Sequence, residues 1–89
     1  MKHKDWVKIF RALGNERRLH ILQLLSQEKE LPVYEIAERI KLSRKSTSKH
    51  LRLLMHLNFL DRGQKKGEVY YAFNTDMPAK IKQILQGVL

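Results

Sequence analysis

Apolar residues recur along this chain with a helical period, interrupted at a few short polar stretches. Trp6, Phe10 and Leu13 stand at i, i+4 and i+7, with Val7 and Ile9 widening the stripe, which predicts a first helix over Lys4–Leu13. Gly14 suits a left-handed helix end, and Asn15 can cap the next helix. A second helix over about Glu16–Gln27 carries Leu19, Ile21, Leu22, Leu24 and Leu25, apolar on most sides as befits a central element. Glu28–Pro32 reads as a connector in which Leu31 can make a short strand contact. Val33, Ile36, Ala37 and Ile40 then mark a short third helix.

Lys41-Leu42-Ser43 is a three-residue turn, with Ser43 as N-cap of a fourth helix over about Arg44–Leu57. Phe59–Gln64 and Glu68–Asn74 follow as strand candidates, the second β-rich through Val69, Tyr70, Tyr71 and Phe73. Lys65-Lys66-Gly67 joins them, and Gly67 can take the positive φ of a hairpin turn. Thr75 or Asp76 is expected to cap a last helix, with Pro78 in its first turn and a stripe of Met77, Ile81, Ile84, Leu85 and Val88. The expected fold is mainly α with a small hairpin. It comprises about five helices and a two-stranded wing, in one domain over residues 1–89.

Length and composition narrow the class. Eighty-nine residues, 43% of them hydrophobic, allow one thin core. No run approaches the length of a membrane span, and the start MKHKDW lacks the apolar stretch of a secretory signal, so the chain reads as cytoplasmic. The absence of cysteine removes disulfides, thiolate metal sites and cysteine nucleophiles together. No phosphate-binding glycine motif or acid–base pair appears, so no enzyme and no cofactor is expected.

Charge separates one segment from the rest. The chain carries +9, and residues 41–66 hold eight Lys and Arg against Asp61 alone, a net +7. A one-sign block inside a folded segment suits a polyanion. Two helices across a three-residue turn, the second basic, form a helix-turn-helix, and the lysine-tipped hairpin makes it winged. At 100° per residue, Leu51, Leu54, Met55 and Leu57 share one side of the fourth helix. Lys45, Lys49, Arg52 and His56 form a stripe on the other, flanked by Arg44 and Ser48. A helix of this kind fits the major groove of double-stranded DNA. Arg44, Lys45, Ser48 and Lys49 are then candidates for base edges and Arg52 for phosphate, with Arg62, Lys65 and Lys66 as wing contacts.

Three blocks resemble the ArsR–SmtB type of winged-helix regulators. ALGNERRLHILQLL is similar to that family's opening signature. LSRKSTSKHLRLLMHLNFL is similar to its recognition-helix motif, with Ser48, His50, Leu51 and Leu54 on characteristic positions. KKGEVYYAF resembles its wing, including Gly67 and Tyr71. The resemblance implies a homodimer built from the terminal helices, two recognition helices in successive major grooves, and repression relieved by an effector. The sequence departs from the family where many members sense metal. LPVYEIAE at positions 31–38 has no cysteine, and DMPAKIKQILQGVL has Asp76 but no histidine. No metal site is therefore expected and the effector stays unassigned. Thr47 stands where the family usually has a small apolar residue, so packing under the fourth helix should differ slightly.

The remaining candidates have plain readings. His3 and His20 lack ligand spacing, His50 borders the apolar face as a packing or phosphate-bonding residue, and His56 belongs to the polar stripe. One of Tyr70 and Tyr71 must face the core by strand alternation. Trp6, Phe10, Ile81, Ile84, Leu85 and Val88 form apolar stripes that one small chain cannot fully cover, which points to a homodimer reading a palindromic operator. The alternative is a winged-helix interaction module whose basic face meets an acidic protein. RNA fits less well, because the A-form major groove does not admit a helix.

Overall fold

The two longest helices start where their first residues demand. The Asn15 side chain accepts the Arg18 backbone N–H at 3.1 Å, and Ser43 Oγ accepts that of Ser46 at 3.1 Å. The computed structural model describes residues 2–89. Its elements are α1 (His3–Leu13), α2 (Glu16–Gln27), β1 (Leu31–Pro32), α3 (Val33–Ile40), α4 (Arg44–His56), β2 (Leu60–Lys65), β3 (Glu68–Phe73) and α5 (Ala79–Val88). Each expected helix and strand is present, and the mainly helical winged fold holds. The expected two-stranded wing gains a third strand, because Leu31 and Pro32 pair antiparallel with Tyr71 and Tyr70. The sheet order is β1-β3-β2.

Local turn chemistry sets the corners. Lys41 ends α3 in the left-handed region (φ 56°), and the Leu42 N–H reaches back to the Ala37 carbonyl at 3.0 Å. The hairpin register pairs Lys65 with Glu68, leaving Lys66 and Gly67 as the two-residue loop, with φ of 50° and 79°. Positive φ at both positions follows the strand twist, as a two-residue hairpin requires.

Two expectations about caps fail. Gly14 is not left-handed (φ −78°), because Asn15 opens α2 at once and the corner closes without an αL residue. A Cβ at Gly14 would stand 3.3 Å from the Phe10 carbonyl oxygen, so close approach accounts for the glycine. Neither Thr75 nor Asp76 caps α5. Pro78 holds the cap position without a side-chain bond, one residue before the helix. Asn74 takes over the local turn, its Oδ1 accepting the Asp76 N–H at 2.9 Å while its Nδ2 donates to the Asn58 carbonyl at 3.1 Å.

One apolar core draws on every helix. Ile21 and Leu22 of α2, Ile36 of α3, Leu51 and Leu54 of α4 and Phe59 just beyond it are wholly buried. Tyr71 faces this core and Tyr70 does not, as alternation requires. The outer helices join the core through Ile9 and Leu13 of α1 and Ile81 and Leu85 of α5. Ile81 and Leu85, expected at a dimer interface, are buried within the single chain at 2% and 4% exposure. Among the described residues, no helix is long and apolar enough to cross a membrane.

Thr47 is the polar exception. It is 0% exposed on the core face of α4, and its Oγ1 is buried without a hydrogen-bond partner among the described residues. A hydroxyl taken from water with no partner costs about 1–3 kcal/mol. Thr47→Val keeps the shape and removes the orphaned oxygen. It should raise the denaturant midpoint by the equivalent of about 1 kcal/mol at unchanged m-value. A lower midpoint would mean that the hydroxyl has a partner in solution.

Candidate nucleic-acid interface

α4 separates its residues by face. Leu51 and Leu54 are buried, and Met55 and Leu57 are half-buried. Lys45, Lys49, Arg52 and His56 are exposed, and Arg44 and Ser48 border them, the latter half-buried. Arg44 lies 5.4 Å from the centre of the exposed Tyr34 ring on α3, a cation–π contact that steadies a long side chain at the helix start.

The wing meets this face at its base. Arg62 pairs with Tyr71 across the hairpin, and cross-strand partners share a side of the sheet. Tyr71 faces the core, so Arg62 projects on the side of α4. There it borders one groove with Ser48 and Arg52. Three candidates that sequence places on two separate elements thus come together.

The wing tip is less uniform. The Lys65 ammonium pairs with the Glu30 carboxylate ahead of β1 and lies 5.5 Å from the Tyr70 ring centre. The Glu30 hydrogen bond, then its charge, raises the Lys65 pKa. Among the described residues, Lys66 and Arg62 have no carboxylate within ion-pair distance. They are the free wing cations, and Lys65 is a partly satisfied one.

Sequence reasoning missed the arginines behind α4. Arg18 Nε donates to the Ala12 carbonyl at 2.7 Å and its Nη2 to that of Arg11 at 3.4 Å, while Nη1 stands 3.3 Å from His50 Nδ1. With the guanidinium as donor, Nδ1 is the accepting nitrogen and the imidazole is neutral. One side chain therefore ties the end of α1 to the middle of α4. Arg17 Nη1 donates to the Ile40 carbonyl at the end of α3. Only the ERR run beside the cap hinted at this, and charge patterning gives no direction for such contacts.

The donor set does not fit a thiolate metal site. The chain has no cysteine, and the described residues contain no group of three His, Cys, Asp or Glu placed to share an ion. His3, His20 and His50 lie on three different helices, and His56 stays on the polar stripe of α4.

Comparison with known proteins adds a second line of observation. Residues 15–62 match the family described as bacterial regulatory protein, arsR family. The chain is 36% identical over 83 residues to a cadmium resistance transcriptional regulatory protein CadC homolog of Staphylococcus aureus, covering 92% of this chain and 65% of that one. It is 35% identical over 80 residues to the arsenical resistance operon repressor of Escherichia coli, covering 89% and 68%. It is 34% identical over 77 residues to the transcriptional activator HlyU of Vibrio cholerae, covering 85% and 70%. The chain thus spans about two-thirds of the length of these relatives. A solved structure of HlyU from Vibrio cholerae superposes with a TM-score of 0.81 at 28% identity, covering 99% of this chain and 94% of that one. The homodimeric winged helix-turn-helix DNA-binding domain of Mb0332 from Mycobacterium bovis gives 0.80 at 27% identity, covering 96% and 78%. These relatives and this fold are those of transcriptional regulators and not of enzymes.

His50 gives the interface a pH signature. Burial, then the charges of Arg18 and Arg17, lower its pKa below the usual 6.5. The unfolded chain therefore takes up this proton more readily than the native one, and native stability falls as pH drops through 6.5 toward the lowered native value. Denaturation midpoints at pH 7.5, 6.5 and 5.5 should decline in the parent. They should decline less in His50→Gln; equal slopes would remove His50 as the cause.

Proposed function

We propose that this chain, which belongs to the arsR family of bacterial regulatory proteins, is a homodimeric repressor reading a palindromic operator in double-stranded DNA. The observation that carries this reading is the division of α4, whose apolar side is locked in the core while Lys45, Lys49, Arg52 and His56 face solvent. Arg44, Lys45, Ser48 and Lys49, in the first half of the helix, reach base edges. Arg52, Arg62 and Lys66 meet phosphate, with Lys65 shared between phosphate and Glu30. The 89 residues act as one DNA-binding unit in the cytoplasm.

Apolar exposure on the outer helices supports the dimer. Phe10 is 57% and Val88 56% exposed, and Trp6 and Ile84 are half-buried. Trp6 stacks on Phe10 with ring centroids 6.0 Å apart, so the pair presents one rigid aromatic surface. Trp6, Phe10, Ile84 and Val88 form the isologous interface, with Ile81 and Leu85 supporting it from within. A twofold axis there sets the two copies of α4 about 34–36 Å apart, one turn of DNA. A dimer seated this way occludes the DNA it covers, and repression follows from occupancy. The missing thiolates support a repressor that ignores the metals sensed through cysteine.

Selection from a random duplex pool should return a palindrome, bound with a steep salt dependence. Lys45→Ala or Lys49→Ala should cost about 1–3 kcal/mol on that site and much less on random duplex. Lys66→Ala should weaken both alike. Recovery of no preferred sequence, with a shallow salt slope, would favour an acidic protein partner instead. In transcription on a template carrying the palindrome, the protein should lower output, and a rise would make it an activator.

Sedimentation should give twice the 10.6 kDa of one chain, and Phe10→Glu should yield folded monomers that bind the palindrome weakly. A parent sedimenting at 10.6 kDa would refute the dimer. Micromolar zinc, cadmium or nickel should leave operator affinity unchanged. A tenfold drop reversed by chelator would reveal a metal site built without cysteine.

A further inference from the structure

α1 carries a third face that neither the core nor the dimer uses. Ile9, Ala12 and Leu13 point into the core, and Val7 and Phe10 lie exposed on one flank. Beyond Val7, on the side of α1 away from Trp6 and Phe10, Lys4, Lys8 and Arg11 recur at i, i+4 and i+7, all exposed. The one acidic residue of this helix does not neutralise them. Asp5 Oδ2 accepts the Lys2 backbone N–H at 3.0 Å, and among the described residues neither Lys8 nor Arg11 has a carboxylate within ion-pair distance.

This flank opens onto α4. Lys8, Arg11 and Arg18 line one groove together with Leu53 and Leu57. Leu53 is exposed and lies beside the basic stripe, one helical turn from both Lys49 and His56. Arg18 bonds to carbonyls and to His50, and among the described residues it has no carboxylate within ion-pair distance, so its positive charge adds to the back of the groove. The positive surface of α4 therefore continues past its own stripe, across Leu53, onto α1.

We propose that Lys8 and Arg11 form a phosphate-contact patch that grips the DNA backbone flanking the groove entered by α4. The inference rests on the DNA-binding reading and extends it to an element outside the helix-turn-helix and the wing. Two features favour a duplex backbone as the occupant. The patch adjoins the face assigned to DNA, and its cations are two long, exposed side chains of one sign, neither with a carboxylate within ion-pair distance among the described residues. Phosphate contact positions a protein without reading sequence, so the patch adds affinity and fixes the approach of each protomer. On α1 Lys8 lies about 160° around the helix from Phe10 and Arg11 about 100°, so the patch points away from the aromatic surface assigned to the dimer.

The test uses the full chain with Lys8→Gln, Arg11→Gln and the double variant. Lys80→Gln, an exposed α5 lysine outside the patch, is the control. Affinity is measured for the selected palindrome and for random duplex between 50 and 200 mM salt, at about these limits. Each patch variant should weaken both duplexes by the same factor. It should also reduce the log–log salt slope by about 0.9 for every phosphate that a protomer ceases to neutralise. Lys80→Gln should change neither. Unchanged slopes in the double variant, with the parent binding DNA normally, would overturn the patch and leave the α4 reading intact. A parent with no steep salt dependence would instead remove the DNA reading itself. Both positions are exposed and make no side-chain hydrogen bond among the described residues, so the variants should melt with the parent. Should the double variant melt early, the single variants carry the test.

Discussion

The proposed DNA reading depends on how α4 is rotated about its own axis. Leu51 and Leu54 are wholly buried against α2 and α3, and each would cost about 2–5 kcal/mol to truncate. Burial on one side of a helix fixes what stands on the other. Lys45, Lys49 and Arg52 project outward because the leucines cannot, and no contact of their own is needed to hold them there. A rotation by one residue, about 100°, would bury a lysine and expose a leucine. The packing term and the proposed recognition surface are thus two sides of one constraint.

The neighbouring elements work on the same helix from other directions. Ser43 fixes its start, and Asn58 turns the chain away in the left-handed region at its end (φ 66°). The hairpin brings Arg62 against it, with Gly67 and Lys66 making the tight turn that sets the register. Arg18 ties its middle to the last turn of α1, whose outer surface carries Phe10. The helix proposed to offer a dimer surface and the helix proposed to offer a DNA surface are therefore joined through one side chain. A basic residue with two carbonyl acceptors and an imidazole neighbour is a firm link, since both carbonyls belong to the backbone of α1.

Much of this was legible in the sequence. The caps at Asn15 and Ser43, the turn at Lys66-Gly67 and the two faces of α4 are local, set within one or two turns, and the pattern of residue types carries them. What was not legible is long-range. His50 and Arg18 are 32 positions apart, and Lys65 and Glu30 are 35 apart, so no periodicity joins them. The inward turn of Ile81 and Leu85 depends on where α5 lands against the core, which an apolar stripe cannot specify. Thr75 and Asp76 are good caps by type and fail because Asn74 occupies that turn first. The orphaned hydroxyl of Thr47 was expected only as a slight change in packing.

The central claim is that the basic face of α4 enters the major groove, twice, one turn apart. Methylation interference reads this directly, because guanine N7 lies in the major groove and adenine N3 in the minor. On the selected operator, N7 methylation should block binding at two clusters separated by about 10 base pairs, one in each half-site. Interference confined to adenine N3, or absent from both grooves, would contradict the account.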